Sequence, residues 1–168
     1  MTPESLVVID LEGNIVEGTN RPTSEKEVHR QIYLRREDAG MIIHAHTKKA
    51  MAVSVRKIRE VPCLVEEMSQ LIGGGIPITP QYVPAEQHFQ LGTAAAENIG
   101  NRNGVILRNH GPVAVGRNPE EAVLMVEVIE KACEIFLDQG QMFYAPIPQC
   151  YIDSERYRYL YKYGNENT

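Results

Sequence analysis

His44 and His46, in the run Met41-Ile42-Ile43-His44-Ala45-His46-Thr47, are the residues of this chain best suited to chemistry. Imidazole nitrogens ligate divalent cations, and two presented together from a rigid element can hold one ion. The three apolar residues before His44, two of them β-branched, predict a strand. Residues two apart on a strand point to the same face, so both imidazoles project together. One His at a strand end reads as a packed or solvated side chain. Two in phase, in a chain with five His in all, read as metal ligands.

A catalytic zinc takes three protein ligands and keeps one position open. The third candidate is His110, just past an expected strand end, in the tight turn Asn109-His110-Gly111-Pro112. Strand ends are where α/β proteins place their sites. His29 and His88 are weaker candidates, since both fall inside expected helices among polar neighbours, where a solvated or lightly packed His is the ordinary case. Glu25 is the candidate acid/base. In the first turn of a helix the macrodipole favours its ionised form, and many such residues only offset that dipole. A catalytic metal site more often than not works with a nearby base, which favours the acid/base role.

The elements that must position these groups alternate along the chain. Leu6-Val7-Val8-Ile9 reads as a strand, Leu11-Glu12-Gly13-Asn14 as a turn, and Ile15-Val16 as the returning arm of a hairpin. Ser24 and Glu27 form a capping-box signature, which predicts a helix to about Ala39-Gly40 with Val28, Ile32 and Leu34 on or near its inner face. The His44/His46 strand follows, then a short helix over Lys48 to Val55 and a strand or irregular stretch over Pro62 to Ile72. Gly73-Gly74-Gly75 marks a hinge or a close approach of backbone, and Ile76-Pro77-Ile78-Thr79-Pro80 is too proline-rich for a central strand. Glu86 to Ile99 reads as a helix closed by Gly100. Val105-Ile106-Leu107 and Val113-Ala114-Val115-Gly116 read as strands around the His110 turn. Asn118-Pro119-Glu120-Glu121 opens a helix running to about Gln139-Gly140, with Val123, Val126, Ile129, Cys133 and Phe136 in helical register. The tail from Tyr151 is rich in Tyr, Arg and Glu. Strands alternating with helices predict an α/β domain.

Composition narrows the function. With 168 residues the chain is one domain, 1–168, with room for a sizeable core. A formal net charge of −5 and no basic stripe argue against a nucleic-acid partner. No apolar run is long enough for a bilayer and nothing at the start reads as a signal peptide, so no membrane partner is expected. Cys63, Cys133 and Cys150 are an odd count without CxxC spacing, and Cys133 falls on an apolar helical face as a buried thiol. A reduced, cytoplasmic protein is expected.

Thr23-Ser24-Glu25, the His44-Ala45-His46 pair and Asn109-His110-Gly111 resemble, in order and approximate spacing, the class II aldolase/adducin family, over about Leu6 to Gln139. The resemblance implies a three-layer α/β/α domain around a mixed, largely antiparallel central sheet, assembled as a homo-oligomer, usually a ring-like tetramer. It implies zinc, or another divalent ion such as Mn2+, Co2+ or Fe2+, held by His44, His46 and His110. It implies that Glu25 acts as acid/base and can also ligate the metal before substrate binds. The family's sugar-phosphate 4-epimerases tend to hold Asp at that place, and Glu25 is closer to the aldolases. The small-molecule partner would be a sugar phosphate whose carbonyl and neighbouring hydroxyl chelate the metal, which stabilises the enediolate formed when the C–C bond breaks. Thr23 and Ser24 would donate hydrogen bonds to its phosphate from a helix N-terminus.

Two departures accompany the resemblance. Family enzymes carry an N-terminal segment with a Gly-Asn-x-Ser loop and a Thr-Gly turn that complete the phosphate cradle, and this sequence starts after both. Some also place a Tyr near the segment that here reads Leu64-Val65-Glu66-Glu67. The expectation is a metal-dependent, aldolase-like lyase acting on a small sugar phosphate or related hydroxy-carbonyl compound. The alternatives are a 4-epimerase, dehydratase or decarboxylase using the same chemistry, or a non-catalytic, adducin-like binding domain. The tail, with Tyr151, Tyr157, Tyr159, Tyr161, Tyr163, Arg156 and Arg158, is the expected subunit contact.

Overall fold

The structure, a computed structural model, describes residues 2–139 and 144–162. A hairpin comes first, with β1 (Val8–Ile9) antiparallel to β2 (Ile15–Glu17). The Asp10 carboxylate closes its turn by accepting from the Asn14 backbone N–H at 2.7 Å and the Asn14 side-chain amide at 3.0 Å. The first strand starts later than expected because a 3-10 turn, Pro3–Ser5, takes up the Leu6 N–H.

Helix α1 (Lys26–Tyr33) is shorter than expected, and the Ser24–Glu27 capping box does not form. The Glu27 carboxylate is held instead by the Arg30 fork at 2.8–3.0 Å. The helix stops early because Arg36 turns inward. Its buried guanidinium has five donors to satisfy, and it finds Asp38, the carbonyls of Gly100 and Arg102, and Asn103 Oδ1. A regular helix through Asp38 could not supply that carboxylate. Val28 and Ile32 are fully buried, whereas Leu34, expected inward, is 48% exposed.

The central sheet consists of β3 (Met41–His44), β6 (Gly104–Ile106) and β7 (Pro112–Gly116), in the order β3-β7-β6. Both pairings are antiparallel; Met41 faces Gly116 and His44 faces Val113. A parallel bridge from Ile78 to Ile106 extends the sheet and makes it mixed. Beside it, β4 (Glu60–Val61) and β5 (Ile76–Pro77) form a two-stranded ribbon, where the proline is tolerated.

Strand alternation sorts the core into two layers. Ile42, Val105, Val113 and Val115 pack on one side with α1 and α3 (His88–Ile99). Ile106 and Ala114 pack on the other with α2 (Lys48–Ser54), a π-helical turn (Met68–Ile72), α4 (Pro119–Asp138) and α5 (Gln149–Tyr161). This is the α/β/α arrangement expected from the sequence. Among the described residues no helix is long and apolar enough to cross a membrane.

Helix α4 begins as predicted, with the Asn118 side chain accepting the Glu121 N–H at 2.8 Å. Its inward face is set slightly differently. Ile129 and Cys133 are buried with Ala122, Met125, Val128 and Ala132, Val126 and Phe136 are partly buried, and Val123 is exposed. The tail forms α5, which docks on its own domain through buried Ile152, through Arg156 donating to the carbonyls of Gln70 and Leu71, and through the Tyr159 hydroxyl donating to Glu121. Tyr151, Tyr157 and Tyr161 remain exposed, while Gly140 and Tyr163 lie outside the described residues. At Gly74, with φ 136°, a Cβ would stand 1.9 Å from the Arg102 guanidinium, so this glycine marks a close approach.

Candidate metal centre

Four side chains from three parts of the chain meet at one end of the central sheet. Glu25 is the residue preceding α1, His44 ends β3, His46 lies between β3 and α2, and His110 sits in the β6–β7 turn. The strand is shorter than predicted, but its pairing runs on past His44, with the Ala45 N–H donating to the Pro112 carbonyl at 3.1 Å. The two-residue spacing therefore still brings both imidazoles to one side. His44 Nε2 and His46 Nε2 are 3.3 Å apart, and the His110 ring centroid is 4.9 Å from both of theirs. The Glu25 carboxylate spans two of them, with Oε2 3.3 Å from His44 Nε2 and Oε1 3.1 Å from His110 Nε2. One ligand atom from each residue lies within 4.8 Å of the others.

This donor set fits a divalent ion. Two atoms each about 2.0–2.1 Å from a tetrahedral zinc stand roughly 3.3–3.4 Å apart, the spacing of the His44 and His46 nitrogens. Three imidazoles and one carboxylate are ligands that zinc and its neighbours in the first transition row accept.

Burial favours the ligating form of two of the rings. Desolvation pulls the His44 pKa below its ordinary value, outweighing the Pro112 carbonyl and the Glu25 charge that push the other way. Desolvation lowers His110 likewise, against Glu25. Both imidazoles are thus neutral at neutral pH and keep a lone pair for a cation. The side chain of His44 is only 5% exposed, and its Nδ1 is 2.9 Å from the Pro112 carbonyl. A carbonyl can only accept, so Nδ1 carries the proton and Nε2 is left bare toward the cluster.

The turn that carries His110 is held from several sides. Its N–H donates to the Leu107 carbonyl at 3.1 Å, and Asn109 takes φ 56°, a conformation Asn tolerates better than most residues. A Cβ at Gly111 would meet the Ala45 carbonyl oxygen at 2.2 Å and His46 Cδ2 at 3.0 Å, so the two ligand-bearing segments can touch only because this residue is glycine. The Arg108 guanidinium ties the base of the turn to the carbonyls of Ser54, Arg56, Ile58 and Thr79.

Thr23 and Ser24 are exposed beside Glu25 and line a cleft of about 510 Å³ with Arg21, Lys26 and His88. Thr23 Oγ1 accepts the Glu25 N–H at 3.3 Å. His29 and His88, the weaker candidates, stand apart from the cluster: His29 is half-buried on α1, with its pKa lowered by desolvation, and His88 opens α3. Sequence reasoning missed the Pro112 carbonyl and the Arg108 strut. A carbonyl acceptor has no residue signature, and an Arg after a strand ordinarily reads as a solvated charge.

Fold and cluster together define an α/β/α domain with a candidate three-His, one-carboxylate metal centre. The chain belongs to the class II aldolase/adducin family, because the family model for the class II aldolase and adducin N-terminal domain matches residues 1–137. Among solved structures it is similar to an L-fuculose 1-phosphate aldolase at 27% identity and TM-score 0.87, covering 96% of this chain and 74% of that one. It is also similar to an L-fuculose-1-phosphate aldolase from Thermus thermophilus, at 30% identity and TM-score 0.63, covering 88% of this chain and 76% of that one. An L-fuculose 1-phosphate aldolase from Glaciozyma antarctica, at 18% identity, shares the fold with TM-score 0.71, over 93% of this chain and 61% of that one.

Proposed function

We propose that this protein is a zinc-dependent aldolase-type lyase that cleaves a C–C bond in a small sugar phosphate or related hydroxy-carbonyl compound. The observation that carries the reading is the convergence of His44, His46, His110 and Glu25 within 4.8 Å, at one end of the sheet, in a chain of this family. His44, His46 and His110 would hold the ion, which when bound supplies Lewis acidity toward a substrate carbonyl and its neighbouring hydroxyl. Glu25 moves the proton at the substrate carbon next to that carbonyl. Its side chain is 19% exposed, so substrate can reach it, and its oxygens already point at the place where the three rings meet. Thr23 and Ser24 receive the phosphate with the N–H groups that open α1, and Arg21 and Lys26 add positive charge along the same cleft. The similarity to proteins described as L-fuculose 1-phosphate aldolases supports this substrate class.

The proposal extends to a cytoplasmic homotetramer. The free thiols of Cys63, Cys133 and Cys150 suit a reducing compartment, and the exposed tyrosines of α5 suit a subunit contact. The test combines elemental analysis with an aldol-cleavage assay over a panel of ketose 1-phosphates. About one zinc per chain and metal-dependent aldehyde release are expected. A protein that takes up no divalent metal, even after zinc is added back, would overturn the reading.

A further inference from the structure

We infer that Glu130, on α4, is a positioning residue of the metal centre: it anchors the start of α2 and thereby sets where His46 points. The inference rests on the proposed metal reading of the cluster. His44 is steadied by the Pro112 carbonyl at its Nδ1. Among the described residues His46 has no such partner; its imidazole is exposed and its hydrogen-bonding contact is with His44 itself. The direction of the His46 ring must therefore come from its backbone.

That backbone is pinned at two places. On the N-terminal side, the Ala45 N–H donates to the Pro112 carbonyl at 3.1 Å. On the C-terminal side, α2 begins at Lys48, and its N-cap, Thr47, makes no side-chain capping bond. The first N–H groups of a helix have no partner within it and need acceptors from elsewhere. Glu130 supplies them across the fold: Oε1 accepts the Lys49 N–H at 2.7 Å and Oε2 accepts the Ala50 N–H at 3.0 Å. Its negative charge also faces the positive end of the helix. Lys49 adds a second tie, with Nζ 2.8 Å from Glu134 Oε1, and fully buried Ala50 and Val53 key α2 into the core it shares with α4. Only His46, Thr47 and Lys48 lie between the anchored Ala45 and Lys49, too little chain to absorb a shift at either one. A displacement of α2 on losing Glu130 is therefore passed to His46.

A helix cap with no role in the centre predicts something different, so the test reads metal binding apart from stability. Zinc affinity is measured by competition with a chromophoric chelator, and ligand geometry by the visible spectrum of the Co2+-loaded protein. Thermal and denaturant midpoints are followed on the metal-free protein. Asn118→Ala, which removes the α4 cap away from the centre, serves as a control. Glu130→Ala is expected to weaken zinc binding by about tenfold or more, in the range that outer partners of ligands show, and to alter the Co2+ spectrum. Glu130→Gln, which keeps one acceptor oxygen, should fall between Glu130→Ala and the wild type. It carries the test if the alanine variant does not fold. Asn118→Ala should lower the midpoints and keep wild-type affinity. Wild-type zinc affinity and Co2+ spectrum in both Glu130 variants, at whatever stability, would overturn the inference while leaving the metal reading intact. Failure of the wild type itself to bind zinc would overturn the metal reading and this inference with it.

Discussion

Glu25 and the three histidines are unequal partners, and their differences set what each substitution does. Glu25→Gln keeps the size and one acceptor oxygen but cannot take a proton. It should retain fold and metal while turnover drops by roughly two to four orders of magnitude, the usual range for a positioned acid/base. A direct check is hydrogen exchange at carbon in deuterated water, using a ketose phosphate such as dihydroxyacetone phosphate; equal rates in mutant and wild type would remove Glu25 from the mechanism. His46 is exposed, so His46→Ala should release the metal and change the stability of the metal-free protein by less than about 0.5 kcal/mol. His44 is buried and bonded to Pro112, so His44→Ala should release the metal and cost about 1 kcal/mol or more by chemical denaturation. The three histidines that the structure brings together stand out in the sequence through an i, i+2 pair after an apolar run and a His in a turn built from Asn, Gly and Pro, whereas Glu25 stands out only as a first-turn carboxylate that a nearby metal site would need. Their supports do not, because Pro112 acts through its carbonyl and Glu130 through a helix 80 residues away in sequence, and neither leaves a local pattern.

Among the elements, α4 announces itself with a cap, a proline and apolar periodicity, whereas α5 does not. Only Ile152 of α5 is buried, and polar contacts dock the rest, so no apolar stripe exists to be read. The early end of α1 was hidden for a similar reason, since it follows from the five hydrogen bonds that buried Arg36 makes to four residues. At the centre of the α5 dock is Glu121. Desolvation resists its ionisation, but hydrogen bonds from Arg117 and Tyr159 prevail and bring its pKa down from 4.5 to about 2. A carboxylate whose folded pKa is depressed stabilises the fold fully above its unfolded value and loses that contribution as pH falls. The docking of α5 should therefore be intact above about pH 4.5 and weaken between there and pH 2. Tyrosine fluorescence during an acid titration should report this step, and Glu121→Gln should remove its pH dependence while lowering stability near neutrality. A titration identical in wild type and mutant would show that Glu121 does not hold the helix.

The whole molecule buries apolar side chains on both faces of its sheet, yet Leu6, Val8, Ile15 and Val16 of the N-terminal hairpin region and three tyrosines of α5 stay exposed. Exposed apolar and tyrosine side chains are the material from which contacts between chains are built. Light scattering at micromolar concentration should find an oligomer, with a tetramer as the expected species; a clean monomer would count against it. The α/β class was legible from alternating strands and helices and the three layers came from the family resemblance, whereas the strand order β3-β7-β6 was not legible, since it depends on pairings between distant segments. That same distance has a kinetic meaning for the candidate metal centre. An unfolded chain retains only the His44-Ala45-His46 pair, while His110 arrives once β3 and β7 are paired and Glu25 once α1 packs on the sheet. Zinc would therefore act as a latch on the completed fold, closing late on the path in and opening early on the path out. Unfolding should slow as free zinc rises, refolding should scarcely change, and at one hundred times the dissociation constant the native state should gain about 2.7 kcal/mol.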